Sequence, residues 1–374
     1  MASVVIIGAA PGSLLNFRGD LVRELVSQGH TVTTMANHTT PEMVASIERM
    51  GAIFEPYDVE RRSHNPFHDL RTLAQLRRTL SRIKPDIVFA YTVKPIVWSA
   101  FALRTVPDAQ FYGMVEGTGY AFQGVGFKRR MLTRLATFLY RIALKRARKV
   151  FFLNPDDPTE FLRRGIVSEE KSVILNGIGV DLERYTKSDL PDGDAPIFML
   201  IARLLREKGV REFSSAARVV LSQFPDARFQ ILGPEDNSAD AVPVEEVKAW
   251  QEAGEVEYLG STPDVRPFIE GCHVFVLPSY YGEGLPRTIL EAMSMGRPIL
   301  TTDNVGCRET VVDGENGFLV ERQNADALAE RMLWFAHNPK AWQPMGDASR
   351  ALAEEKFDVH KVNAAILRAM KLNP

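Results

Sequence analysis

Two doubly wound α/β domains in series are the architecture this chain predicts, and three observations carry the reading. Short β-branched runs alternate with longer helical patterns along the whole length, the sequence signature of βαβ units and parallel sheets. The alternation breaks once, at Tyr185 to Pro196, a polar stretch rich in turn residues, and then restarts. The 374 residues also exceed what one ordinary hydrophobic core supports. Residues 185–196 are therefore read as the interdomain linker. This assigns a first domain to 1–184 and a second to 195–357, with a last helix over 358–374 placed to pack back on the first.

Each element follows from local pattern. In the first domain, strands are expected at Val4–Ile7, Thr31–Met35, Ile53–Glu55, Ile87–Ala90, Gln110–Gly113, Val150–Leu153 and Val173–Leu175. Helices fill the intervals: Arg18–Gln28 stops at Gly29, Pro66–Ile83 stops before Pro85, and Phe127–Lys149 is the longest. In the second domain, strands are expected at Ile197–Ile201, Phe229–Leu232, Val256–Leu259, Val274–Leu277, Ile299–Thr302 and Gly317–Val320, with helices between them, and the amphipathic stretch His360–Leu372 closes the chain as a helix. Open parallel sheets bind ligands beyond the carboxyl ends of their strands, so two such domains predict a central cleft.

Composition narrows the class. Formal net charge is -2, yet residues 1–170 carry 23 Lys and Arg against 16 Asp and Glu, and the remainder 22 against 31. A basic first half suits an anionic partner such as a phospholipid surface or a lipid diphosphate, while the overall balance argues against a nucleic-acid binder. Cys272 and Cys307 are too few for a disulfide framework and lack metal-ligand spacing, as expected of a reducing, cytoplasmic protein. The N-terminus lacks a basic leader and no apolar run reaches the roughly 18 residues of a spanning helix, so any membrane contact is expected to be peripheral.

The most informative segment is Glu283-Gly284-Leu285-Pro286-Arg287-Thr288-Ile289-Leu290-Glu291, two carboxylates eight residues apart around a helix start. Val274–Leu277 reads as a buried strand, Pro278–Gly284 as the turn and Pro286 as a first-turn proline. The free N–H groups and positive dipole end of such a helix favour a phosphate or sugar oxygen. Eight helical residues rise about 12 Å, roughly the reach from a sugar through a diphosphate to a ribose, which pairs Glu283 with the sugar and Glu291 with the ribose. Two solvated glutamates at a helix terminus are the alternative. Arg203 and Lys208 follow the first strand of the second domain and supply a planar fork and a point charge suited to a diphosphate leaving group. Gly260, Ser261, Thr262 and Val265 form a turn against which a flat base could lie. In the first domain, Ala9-Ala10-Pro11-Gly12-Ser13 reads as a turn in which Gly12 and Ser13 let phosphates approach the backbone; it is not G-x-G-x-x-G, which disfavours a nicotinamide site.

Together, the segments ARLLREKG at 202–209, VEYLGSTPDV at 256–265, CHVFVLPSYYGEGLPRTILEAMSMGRPIL at 272–300 and VGCRETVVDGENGFLV at 305–320 resemble glycosyltransferase family 4, retaining enzymes of the GT-B fold with two Rossmann-like domains facing a central cleft. The resemblance implies that Arg203 and Lys208 bind the donor diphosphate, that Glu283 contacts the donor sugar and Glu291 the ribose, and that the backbone of Gly284, Leu285 and Pro286 cradles sugar and phosphate. It implies a nucleotide-sugar donor, a UDP-sugar, and neither cofactor nor metal. Asn65-Pro66-Phe67 and Val115-Glu116-Gly117-Thr118-Gly119-Tyr120 are similar to bacterial enzymes that extend undecaprenyl-diphosphate-linked saccharides with a hexose or N-acetylhexosamine. Many family members carry a His where this chain has Glu116. Glu116 either contacts the donor sugar or the acceptor hydroxyl, or braces the glycine-rich loop.

Lys128–Lys149 holds nine Lys or Arg and no Asp or Glu, with Leu132, Leu135, Phe138, Leu139 and Ile142 along one broad face. A basic amphipathic helix reads as interfacial, and Trp98, Phe101, Arg77 and Arg78 extend the same surface. The sequence therefore points to a metal-independent transferase peripheral on the inner face of the plasma membrane. A soluble transferase, an epimerase-like enzyme and a silent nucleotide-sugar-binding subunit are the rivals.

Overall fold

A computed structural model describes residues 1–60, 66–117, 127–280 and 282–372, with the backbone alone at 66 and 127–129. Asn65, Thr118, Gly119 and Tyr120, and the side chains of Lys128 and Arg129, lie outside the described residues. The chain divides into two compact units, Met1–Ile178 with His360–Pro374, and Gly179–Val359.

The first unit is built on a parallel sheet of β1 (Ser3–Ile7), β2 (Thr31–Ala36), β3 (Ile53–Pro56), β4 (Ile87–Tyr91), β5 (Gln110–Val115), β6 (Lys149–Phe152) and β7 (Ser172–Ile174), in the order β3-β2-β1-β4-β5-β6-β7. Strand order reverses between β1 and β4, where Val4 lies beside Ile87 and Ile7 beside Ala90. Side chains alternate across a strand, so β1 serves two cores. Val4 and Ile6 pack with α1 (Pro11–Ser27), α2 (Pro41–Glu48) and the last helix, α13 (Val359–Met370), through Leu14, Leu21, Ile47, Ile366 and Leu367. Val5 and Ile7 face α3 (Pro66–Ile83), α4 (Val93–Ala102), α5 (Phe127–Lys145) and α6 (Asp156–Arg163) through Leu76, Leu80, Ile96, Leu144 and Phe161.

The second unit repeats the plan with β8 (Ile197–Ile201), β9 (Arg228–Leu232), β10 (Glu257–Tyr258), β11 (Val274–Leu277), β12 (Ile299–Thr302) and β13 (Gly317–Val320), in the order β10-β9-β8-β11-β12-β13. Its switch point lies between β8 and β11. Around this sheet lie α7 (Val210–Leu221), α8 (Val244–Glu252), α9 (Arg266–Glu270), α10 (Arg287–Ser294), α11 (Ala325–His337) and α12 (Trp342–Leu352). Phe198, Leu200, Val274 and Val276 meet α7 and α11 through Phe213, Ala217 and Met332 on one face. Met199, Ile201, Phe275 and Leu277 meet α10 through Ile289, Leu290 and Met293 on the other.

Three elements differ from the sequence expectation. Helix α1 begins at Pro11, not Arg18: a proline at the first helical position is pre-set for helix, and the Ser13 hydroxyl donates to Ala10 O at 2.6 Å. Gly12 and Ser13 are thus helical residues and not a turn. Helix α5 ends at Lys145 because Lys149 already pairs in β6. The stretch 185–196 is not a free linker; the units divide at Ile178–Gly179 and Val359–His360. Tyr185 is buried, and the fully buried Arg297 donates to Ser188 O at 2.8 Å and to Asp189 O at 3.0 Å.

His273, also fully buried, pins the same stretch. Its Nδ1 accepts from the Ile197 N–H at 3.0 Å, which leaves Nε2–H to donate to Pro191 O at 3.0 Å. Burial lowers its pKa from the ordinary 6.5. The unfolded imidazole gains a proton as pH falls through about 6.5, whereas the folded one resists it, so His273 costs stability on the acid side at up to about 1.4 kcal/mol per pH unit. Thermal melts between pH 7.5 and 5 should show a smaller acid loss in His273→Gln than in the parent chain. Equal slopes would contradict this account of His273.

Candidate donor site and its relatives

The second unit gathers its charged residues at the β8/β11 switch point, where open sheets bind ligands. Strand β8 delivers Arg203 and, through a turn of 3-10 helix at Arg206–Lys208, Lys208. Strand β11 delivers Ser279 and Glu283 and leads into α10. Close approach of the two loops depends on glycine: Gly209 has φ 76°, and a Cβ there would stand 2.3 Å from Pro278 O. Gly306, φ 80°, lies under the other side of the site, where a Cβ would stand 2.7 Å from Glu283 O and 2.8 Å from Gly284 O.

Lys208 and Glu283 form an ion pair, with side chains 16% and 14% exposed. Neither is a solvated surface charge. The Ser279 hydroxyl donates to Glu283 Oε1 at 3.0 Å and so fixes the carboxylate, while Thr302 and Asn304 donate to Ser279 O. The Tyr280 N–H donates to Glu207 O at 3.0 Å and ties the loop after β11 to the Lys208 turn. Burial and then the Asp240 carboxylate raise the pKa of Glu207, with Lys208 opposing. Cys307 is buried close by, and burial followed by the Glu283 charge pushes its thiol up to about 12, which keeps it protonated.

Arg203 and Lys208 do not share a carboxylate in the structure. Arg203 reaches Asp236 at 2.7 Å with half of its side chain exposed, and Asp236 is held below the usual carboxylate range by Ser238 first and Arg203 after it. Each cation has its own carboxylate, because β9 and β11 flank β8 and each ends beside one of the two.

Helix α10 starts at Arg287, with Pro286 at the cap, φ -67° and ψ 112°, and not inside the first turn. The extended ψ swings the chain into the helix, and the cap residue contributes no side-chain hydrogen bond. One turn further, Glu291 is 6% exposed and accepts from Arg287 Nε at 2.9 Å. Tyr185 faces the same carboxylate: burial, then the Glu291 charge, push its phenol up to about 12. Gly284, Leu285 and Pro286 are buried between the two glutamates. Gly260 follows β10 at φ 71° and its carbonyl accepts from the Gly233 N–H at 2.7 Å; Ser261 is exposed, and the Thr262 hydroxyl accepts from the Asp264 N–H at 3.2 Å. Val265 caps α9. Ser279, Gly306, Arg287, Tyr185 and Asp236 carry no site role in the sequence reading, although Ser279, Arg287 and Gly306 lie inside the family-like segments and Tyr185 opens the 185–196 stretch.

In the first unit, Glu116 directly follows β5, is partly exposed and forms an ion pair with Arg18 of α1. Ser13 shares a 2.8 Å hydrogen bond with the Tyr91 hydroxyl. A Cβ added at Gly12 would meet nothing within 4 Å. Among the described residues no cluster of His, Cys, Asp and Glu has the arrangement of a metal site.

Residues 182–352 match the family described as glycosyl transferases group 1, and residues 19–184 match glycosyltransferase family 4. An N,N'-diacetylbacillosaminyl-diphospho-undecaprenol alpha-1,3-N-acetylgalactosaminyltransferase from Campylobacter jejuni is 27% identical over 88% of this chain and 88% of its own. A UDP-Gal:alpha-D-GlcNAc-diphosphoundecaprenol alpha-1,3-galactosyltransferase from Escherichia coli is 27% identical over 71% of this chain and 70% of its own. The fold matches that of a Rickettsia africae glycosyltransferase, with TM-score 0.80 at 18% identity over 99% of this chain and 98% of the other. It also matches Anabaena HepE in complex with UDP-glucose, with TM-score 0.79 at 18% identity over 99% and 100%. Two parallel sheets with helices on both faces, and two family matches that together run from residue 19 to residue 352, establish that the chain belongs to glycosyltransferase family 4, with the GT-B fold.

Proposed function

We propose that this glycosyltransferase moves a hexose or N-acetylhexosamine from a UDP-sugar to a saccharide carried on undecaprenyl diphosphate, with retention at the anomeric carbon, without a metal ion, in cell-surface glycan synthesis. The observation that carries the donor half is the anchored Lys208–Glu283 pair ahead of α10, with Glu291 one turn into the helix. The acceptor half is supported by the Campylobacter jejuni and Escherichia coli relatives, whose names specify diphospho-undecaprenol acceptors.

In this reading Lys208 and Arg203 neutralise the diphosphate as its oxygen leaves the anomeric carbon, and Glu283 holds the donor sugar. The departing phosphate oxygen takes the acceptor proton on the same face, which preserves configuration. Glu291 holds the ribose, and Gly260, Ser261, Thr262 and Val265 line the base. Glu116 engages a substrate hydroxyl. The test is transfer from a panel of UDP-sugars to a polyprenyl-diphosphate-linked saccharide. One added hexose or N-acetylhexosamine on the lipid, α-linked from an α-donor and insensitive to EDTA, is the expected product. Transfer to soluble saccharides alone would sink the lipid acceptor, and a β-linked product would sink retention.

Peripheral docking on an anionic bilayer belongs to the same reading. Met131, Leu135, Phe138 and Ile142 recur at helical spacing on α5 and are 64%, 54%, 58% and 36% exposed, beside exposed Arg130, Arg134 and Lys145. Leu139 instead packs on the core, and Arg141, Arg146 and Lys149 donate to backbone carbonyls of neighbouring loops, so fewer than nine of these cations are placed to reach lipid headgroups directly. No helix among the described residues is long and apolar enough to cross a membrane. Flotation with phosphatidylglycerol vesicles should fall at least about tenfold in Leu135→Glu/Phe138→Glu, about 1.4 kcal/mol, and weaken with salt. Unchanged flotation of the double variant would remove α5 from the docking surface.

A further inference from the structure

Arg18 lies in the middle of α1, at 2% exposure, an unusual place for a guanidinium. Its surroundings fix it on several sides. Nη1 donates to Phe17 O at 2.8 Å, Nη2 points to Met114 Sδ at 2.9 Å and to Glu116 Oε1, and Cζ stands 4.7 Å from the centroid of the Tyr91 ring. Tyr91 is itself immobilised. It is fully buried, shares a hydrogen bond with Ser13, and lies so close to Gly8 that a Cβ there would stand 2.1 Å from its hydroxyl. The chain Ser13, Tyr91, Arg18, Glu116 thus runs across the carboxyl ends of β1, β4 and β5, at the switch point of the first sheet.

This arrangement is poor as a stability device. Taking a guanidinium out of water costs more than one partly exposed carboxylate returns, and apolar replacements of buried ion pairs are often neutral or stabilising. Arg18 Nε is moreover buried with no hydrogen-bond partner among the described residues. What a planar fork stacked on an aromatic face does well is hold a carboxylate in one orientation.

We propose that Arg18 is a positioning residue, braced by Tyr91 and Ser13, that holds the Glu116 carboxylate in the orientation from which it engages a substrate sugar hydroxyl. This rests on the role given to Glu116 above. Glu116 is the residue that touches substrate, and Arg18 acts through it.

The test is a mutant cycle read on transfer kinetics, with Arg18→Met, Arg18→Lys, Glu116→Gln and the double variant Arg18→Met/Glu116→Gln. Arg18→Met and Glu116→Gln should each lower kcat by about 10- to 100-fold, the cost of a misplaced group. The double variant should fall no further than the weaker single variant, because both changes remove one interaction. Arg18→Lys should lie between parent and Arg18→Met, since an ammonium keeps the charge and loses the fork. The thermal shift produced by UDP checks folding and should be the same in all variants. Arg18→Met with kcat within twofold of the parent, or a double variant at the product of the two losses, overturns the proposal. A parent chain inactive with every lipid acceptor counts instead against the acceptor reading, and the cycle read on donor hydrolysis must then show the same coupling.

Discussion

Lys208→Ala should lower kcat/KM for glycosyl transfer by about 10² to 10³-fold, the scale on which a single charge stabiliser acts at a developing oxyanion. The physical case rests on burial. The ammonium is 16% exposed and paired with a carboxylate 14% exposed, so it acts in a medium that screens charge far less than water does. In the proposed function a departing diphosphate gains negative charge as its bond to the sugar breaks, and an ammonium already held in its ion pair needs little rearrangement to answer that charge. Ser279 keeps Glu283 in place through its 3.0 Å hydrogen bond, so the site itself should survive the substitution while its charge does not. Lys208→Arg restores charge with a different shape and should recover only part of the rate. Steady-state kinetics at saturating acceptor measure the effect, with thermal melts as the folding control. Activity within threefold of the parent would remove Lys208 from the chemistry.

Glu291→Ala should act differently, raising the donor KM by about 10- to 100-fold with a smaller change in kcat. A group that holds the ribose contributes equally to ground and transition states, and its loss appears in KM. The carboxylate is 6% exposed and shared by Arg287 Nε at 2.9 Å and by Tyr185, whose phenol it helps push up to about 12. Truncation therefore also takes the Glu291 carboxylate away from the Arg287 guanidinium, which is 16% exposed, at a cost of about 1–3 kcal/mol in stability. Glu291→Gln keeps the shape and separates the two effects: it should melt near the parent temperature yet still bind UDP-sugar more weakly. An unchanged donor KM in both variants would contradict the ribose role.

Much of the architecture is legible in the sequence, for reasons that differ by element. Val274–Leu277, Ile299–Thr302 and Gly317–Val320 stand as strands with the expected bounds, because short apolar and β-branched runs are what parallel strands buried on both faces require. The start of α1 was misplaced because Pro11-Gly12 has the composition of a turn, and only the Ser13-to-Ala10 bond and the helical context tell the two apart. The stretch 185–196 looked like a linker because its polarity is real. Its partners, Arg297 and His273, lie some 80 to 110 residues away, and polar residues satisfied at that distance leave no local pattern.

The site divides in the same way. Glu283 and Glu291 were legible because both bracket a helix start, a feature local in sequence. The pairing of Lys208 with Glu283 and of Arg203 with Asp236 was not, since it depends on which strands flank β8. Arg18 and Tyr91 left no signal at all: one is a cation in a helix and the other an aromatic at a strand end, and only the order β1-β4-β5 brings them to Glu116.

The central claim is that a UDP-sugar binds the second unit with Glu291 as one of its anchors. It is tested most directly by the thermal shift that a panel of UDP- and GDP-sugars produces in the parent chain and in Glu291→Gln, since a ligand specific for the folded state raises its melting temperature. One or more UDP-sugars should raise the parent melting temperature in a concentration-dependent way, with the shift largely lost in Glu291→Gln. No shift with any UDP-sugar, or the same shift in both chains, would contradict it.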